Sequence, residues 1–153
     1  MLNYYYQILI DVDGTLAGHT KWTGIFSNTM ALFRTGLLMD VPIGTWSILT
    51  SRPRIDYLFI KAMCSRYKLK PKELITSDTF FYEFSGPKDV ANWKSSMISD
   101  KLSNDRFLKN IIYVDDDAEI RSMMLPIEGL IVCEPNLLIN KINELEQENL
   151  KRC

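Results

Sequence analysis

The chain has 153 residues, 46% of them hydrophobic and 24% charged, with a formal net charge of −1. That length suits one domain spanning residues 1–153 with a core of its own, and the charge is too small to drive the whole molecule onto nucleic acid or an anionic membrane. A single histidine excludes a histidine-rich metal centre, and the three scattered cysteines (Cys64, Cys133, Cys153) lack metal-ligand or redox spacing.

Apolar and polar patterns alternate along the chain as in βαβ units, which predicts an α/β fold with a parallel sheet and helices on both faces. Residues 5–11 read as the first strand. Ser27 can cap a helix to about Arg34, with Gly36 as its stop. Thr45–Thr50 is the second strand. Ile55–Tyr67 reads as a helix with Leu58, Phe59, Ala62 and Met63 on its inner face, and Leu74–Thr76 as a short third strand. Val90–Leu102 is a helix whose Val90, Trp93, Met97 and Ile98 form one apolar stripe. Ile111–Val114 is the next strand, and Asp116-Asp117-Ala118-Glu119 has the look of a capping box opening a helix to Leu125. Gly129–Cys133 closes the sheet, and Asn136–Leu150 is an amphipathic tail helix with Leu138, Ile142 and Leu145 inward. Cys64 and Cys133 fall in apolar stretches and are expected in the core as reduced thiols, which fits a cytoplasmic setting; Cys153 is expected at the surface. No apolar stretch is long enough to span a bilayer and no signal peptide leads the chain, so no membrane partner is expected.

The densest chemical signal is Ile8-Leu9-Ile10-Asp11-Val12-Asp13-Gly14-Thr15-Leu16. A buried strand that ends in carboxylates must deliver them to a surface, because an unpaired buried carboxylate is costly. In a parallel sheet that surface is the carboxyl edge, where ligands bind. Two carboxylates there can hold a divalent cation or divide the work of nucleophile and general acid. A calcium loop starting at Asp11 would need an acid at position 22, which is Trp22, and better ligands than Thr15 and Ala17. Two further apolar runs end in polar groups: Trp46–Leu49 in Thr50-Ser51-Arg52-Pro53, and Asn110–Val114 in Asp115-Asp116-Asp117. Parallel strands would gather all of these, with Lys94, at one edge.

That constellation resembles the haloacid dehalogenase-like phosphohydrolases. Asp11-x-Asp13-Gly14-Thr15-Leu16 is similar to their first motif, Leu49-Thr50 to the second, Lys94 to the third, and Val114-Asp115-Asp116 to the fourth. Within the superfamily, Thr50-Ser51-Arg52 and Asp89–Lys94 resemble the phosphatase domain of polynucleotide kinase-phosphatases. The resemblance implies a Rossmann-like three-layer α/β/α fold and hydrolysis of a phosphate monoester through an aspartyl-phosphate. Asp11 would be the nucleophile and Asp13 the general acid and then base. Thr50 and the Ser51 amide would bind phosphoryl oxygens, and Lys94, with Lys88 in reserve, would neutralise charge. Mg²⁺ would be held by Asp11, Asp13 (through its backbone oxygen), Asp115 and Asp116, the last two unranked. Arg52 either grips the substrate phosphate or forms a surface ion pair.

The intervals Asp13–Thr50 and Thr50–Lys94 leave no room for a sizeable cap domain, and the resemblance links such open sites to large substrates, among them 3′-phosphorylated polynucleotide ends. Lys61, Arg66, Lys68, Lys70 and Lys72 form a basic run with no acid among them. It is either a phosphate-backbone contact or the solvated end of a helix. Phe80-Phe81-Tyr82-x-Phe84 either stacks bases or anchors a loop. His19 faces solvent or touches phosphate. A small-molecule nucleotide phosphatase and a non-catalytic binding module remain open as alternatives. A dehalogenase is disfavoured, because resembling dehalogenases lack the second aspartate that Asp13 supplies.

Overall fold

The computed structural model describes residues 6–17 and 46–151. Five strands form one all-parallel sheet: β1 (Tyr6–Ile10), β2 (Trp46–Leu49), β3 (Leu74–Ile75), β4 (Asn110–Val114) and β5 (Leu130–Cys133), in spatial order β3-β2-β1-β4-β5. β1 lies at the centre, with Ile10 level with Ile48 of β2 and with Val114 of β4. A central parallel strand packs on both faces and so reads as an unbroken apolar run. Ile8, Leu9 and Ile10 accordingly have no exposed surface.

Among the described residues four helices connect and cover the strands: α1 (Tyr57–Arg66), α2 (Pro87–Asn104), α3 (Ala118–Met123) and α4 (Leu138–Lys151). Ile8 and Ile10 face one layer of helix, packing with Ile60, Met63 and Cys64 of α1 and Leu138, Ile142 and Leu145 of α4. Leu9, Ile111 and Tyr113 face the other, with Ile98, Trp93 and Met97 of α2. Both thiols in these layers are buried and unpaired, and burial pushes each up to about 11, so they stay protonated and inert.

The tail helix turns Leu138, Ile142 and Leu145 inward as its pattern predicts. α1 follows its predicted face only in part, with Phe59 packed against the core. Ile60, Met63 and Cys64 are buried, while Leu58 is 75% exposed and Ala62 is also exposed. α2 begins three residues earlier than Val90, because Pro87 can occupy a first-turn position where no backbone donor is needed. α3 stops at Met123, short of Leu125; Pro126 disfavours helical backbone at the residue before it. The predicted capping box is not formed. Asp117 alone caps α3, its carboxylate accepting from the Glu119 and Ile120 amides. The predicted Ser27–Arg34 helix with its Gly36 stop, His19, and Cys153 lie outside the described residues.

Two positions fix how chain leaves the sheet. Past β1, three successive amides (Thr15, Leu16 and Ala17) donate to the Val12 carbonyl, a tight turn in which Gly14 takes φ 79. From Thr50 to Lys94 the chain comprises a 3₁₀ turn over Arg54–Asp56, α1, β3, the start of α2 and the connections between them, so that interval holds no inserted domain. No helix among the described residues is long and apolar enough to cross a membrane.

Candidate functional site

β1 and β4 are adjacent although β2 and β3 intervene in sequence, so the strand order reverses between them. A reversal point at the carboxyl edge opens a crevice in such sheets. Asp11 follows β1 directly and its amide donates to Val114. Asp115 follows β4, its amide donating to Cys133. The two acids are therefore held side by side by the ladder itself. An open cleft of about 250 Å³ sits over them, lined by Asp11, Asp13, Ser51, Tyr82, Lys94 and Asp115 among others.

Lys94 reaches this edge from the second turn of α2, because helical side chains tilt towards the helix N-terminus. It is 1% exposed. Its ammonium donates to Asp11 at 2.9 Å, lies 3.4 Å from Asp115, and donates to the Tyr113 hydroxyl. Burial alone would lower its pKa, but the Asp11 and Asp115 carboxylates outweigh burial and hold it above the ordinary lysine value. The reserve candidate, Lys88, is exposed on the first turn of α2 and does not line the cleft.

Asp11 is pushed up to about 7, first by burial and then by the neighbouring Asp115 and Asp13 carboxylates, against the pull of Lys94. Asp115 is buried and heavily held. One of its oxygens accepts from the Asp117 amide at 2.9 Å, the other from Tyr113 and Lys94. Its carbonyl accepts from Arg121 at 2.7 Å. Asp116 is half-buried and tied to the first motif: Thr15 donates to its carboxylate at 3.3 Å and accepts from its amide at 3.2 Å.

Oxygen atoms of Asp11, Asp115 and Asp116 lie within 4.8 Å of one another. Against these three carboxylates stands one buried ammonium, Lys94, so with all three ionised the cluster carries a net charge of minus two, which one divalent cation would balance. An all-oxygen donor set of this size suits a hard cation such as Mg²⁺, which completes its shell with water. The donor chemistry therefore fits a hard divalent cation held by Asp11, Asp115 and Asp116.

Asp13 is placed differently. Its side chain is 44% exposed at the cleft mouth, and both its oxygens accept from Arg52, at 2.6 Å and 2.9 Å for the shortest contacts. Of the two roles open to Arg52, a phosphate grip or a surface ion pair, the structure shows it in ion pairs, with the arginine itself only 5% exposed. Its guanidinium also contacts Asp56 at 3.4 Å, whose carboxyl is raised by burial against the pull of Arg52. Thr50 is wholly buried, its hydroxyl accepting from the Arg52 amide at 3.2 Å, and it does not line the cleft; Ser51 does.

Four contributors were not singled out from the sequence: Tyr113, Thr15, Asp117 and Arg121. Tyr113 had a readable signal. It stands two residues before Asp115, hence on the same side of the strand, facing the helix that carries Lys94.

The basic run lies elsewhere. Lys61, Arg66, Lys68, Lys70 and Lys72 are all exposed. The Lys72 amide donates to Trp46, the first residue of β2, so the end of the run sits at the amino edge of the sheet, opposite the cleft. In comparisons with known proteins, no family model, curated protein or solved structure matches the chain.

Proposed function

We propose that this chain is a Mg²⁺-dependent phosphomonoesterase of the haloacid dehalogenase-like kind, working through an aspartyl-phosphate on Asp11. The observation that carries the reading is the convergence of Asp11, Lys94, Asp115 and Asp116 at the reversal point of a parallel sheet. The finer fold assignment, Rossmann-like and haloacid dehalogenase-like, belongs to the same proposal. It is supported by the order of the motifs along the chain and by helices on both faces of the sheet.

In this reading Asp11 attacks phosphorus, the bond to the leaving oxygen breaks, and Asp13 gives that oxygen its proton. Water then attacks the phosphoryl group on Asp11, with Asp13 taking the proton, and inorganic phosphate leaves. Lys94 offsets the charge of Asp11 and the phosphoryl oxygens, and the Ser51 amide would donate to them. Bound Mg²⁺ supplies charge neutralisation and favours the ionised form of Asp11. Arg52 holds Asp13 at the mouth through two parallel contacts, which fixes the carboxylate where a leaving group departs.

The substrate is a phosphate monoester, either a nucleotide or a phosphorylated polynucleotide end. The second of these loses one of its motives, because the basic run faces the other edge of the sheet. The test is turnover of a generic aryl phosphate with Mg²⁺. We expect activity that EDTA abolishes, none in Asp11→Asn, and a phosphoryl mass increment on Asp11 in substrate-quenched wild-type protein. A folded wild-type protein with no turnover would favour a binding module, and wild-type turnover in Asp11→Asn would overturn the nucleophile.

A further inference from the structure

We propose that Phe80, Phe81 and Tyr82 form a stacking platform for the base of a nucleotide whose phosphate occupies the Asp11 cleft. The proposal rests on the phosphomonoesterase reading and names the substrate class that site takes.

These residues lie on the loop between β3 and α2, at the carboxyl edge of the sheet. The loop is pinned by its backbone. The Arg54 and Ile55 amides donate to Thr79 and Phe80 at 2.8 Å and 3.4 Å, and the Thr79 hydroxyl donates to the Phe81 carbonyl at 2.8 Å. The side chains are left outside: Phe80 is 50% exposed, Phe81 56% and Tyr82 52%. Three adjacent exposed aromatic rings on a fixed loop are an apolar patch that water does not favour, and such patches mark binding surfaces.

The patch is continuous with the cleft. Tyr82 lines it beside Asp11, Asp13, Ser51 and Lys94. Tyr82 packs edge-on against Phe84 at 5.5 Å, and Phe84 against Trp93 at 5.5 Å, which roots the loop on α2 next to Lys94. Phe80 and Phe81 meet edge to face at 4.8 Å.

A cleft of about 250 Å³ takes a phosphoryl group and little more, so the rest of the substrate lies on its rim. On this side the rim is aromatic. Phe80 and Phe81 lie within about 7 Å of Tyr82 along the chain, a separation that a sugar bridges between phosphate and base. A sugar phosphate would leave the rings wet. A base has two π-faces of the right shape, and stacking on aromatic side chains is tolerant of base identity.

The test compares nucleoside monophosphates with ribose 5-phosphate, which carries no base. In wild-type protein kcat/KM should favour the nucleotide by roughly 5- to 100-fold, the range set by stacking one base. In the Phe80→Ala/Phe81→Ala double variant that ratio should collapse towards one. Equal efficiency for the two substrates in wild type, or a ratio unchanged in the double variant, overturns the proposal. So does a double variant that loses both activities in parallel, changes oligomeric state in sedimentation, or falls in thermal midpoint at constant ratio, since the rings would then be covered by protein. A binding arm separates this from failure of the enzyme reading. Calorimetric affinity of Asp11→Asn protein for a nucleoside monophosphate should exceed that for ribose 5-phosphate by a similar factor, and lose the excess when Phe80 and Phe81 are also alanine. Base-dependent binding without wild-type turnover would sink the phosphatase and keep the platform; turnover without base dependence would do the reverse.

Discussion

The Tyr113 hydroxyl is buried between Lys94 and Asp115, accepting from the ammonium and donating to the carboxylate. Its own pKa is raised well above the ordinary value by burial and then by the Asp11 and Asp115 charges, so it remains a donor to Asp115. Removing that one oxygen leaves a buried ammonium and a buried carboxylate each short of a partner. Groups behind metal ligands typically carry 10- to 100-fold in metal affinity or activity. Tyr113→Phe keeps the ring and deletes the oxygen, and we expect it to raise the Mg²⁺ concentration for half-maximal turnover by about 10-fold or more. The same variant should lose about 1–3 kcal/mol of stability in metal-free urea unfolding. An unchanged Mg²⁺ midpoint would show that Tyr113 only fills space. Arg52 makes a related point about side-chain identity: it spans Asp13 and Asp56 from one planar guanidinium, which a lysine could not reproduce.

At the scale of elements, β5 enters the sheet through Gly129, whose carbonyl accepts from Ile111 at 2.8 Å. Gly129 has φ +88, and a Cβ there would lie 2.5 Å from the Lys109 carbonyl oxygen. Gly129→Ala must therefore shift backbone, and it should cost roughly 1–3 kcal/mol. Gly86→Ala, with nothing within 4 Å of the added carbon, should stay within about 0.5 kcal/mol. Urea unfolding of both variants checks this, and equal losses would mean the Gly129 turn relaxes freely. Elements differ in how far the sequence discloses them. β1 and β4 are legible because buried parallel strands are written as apolar runs that stop at an acid, so Asp11 and Asp115 could be placed at the sheet edge. The face of α1 was legible only in part, because Tyr57, Leu58, Phe59 and Ile60 fill its first turn with apolar groups all round, and the period then sets the phase poorly. The pairing of Arg52 with Asp13 was hidden too, since no sequence spacing relates a strand-end arginine to an acid on the neighbouring strand. The position of the basic run was readable in principle: residues just before a parallel strand must lie at the amino edge.

The whole molecule is nearly neutral, yet its carboxyl edge gathers a local excess of negative charge that folding alone does not relieve. The consequence is a pH dependence of metal-free stability. Asp11 titrates at about 7 in the folded protein, against an ordinary value of 3.8. Between these values the folded state holds a proton that the unfolded chain has released. The folded state then binds more protons, so stability falls as pH rises from about 4 to about 7 and levels off above that. Asp56, also raised by burial, adds to the same slope. At the proposed site Mg²⁺ would compete with the Asp11 proton and bind only the folded arrangement. At about 100 times its dissociation constant it should add roughly 2.7 kcal/mol, more effectively at pH 8 than at pH 5. Thermal unfolding in EDTA and in Mg²⁺ at both pH values measures this. We expect the metal-free midpoint to be lower at pH 8 than at pH 5, the Mg²⁺ shift to be larger at pH 8, and Asp11→Asn to flatten both differences. A Mg²⁺ shift equal at the two pH values, or unchanged in Asp11→Asn, would remove Asp11 from the cation site and leave its raised pKa as a consequence of burial beside Asp115 alone.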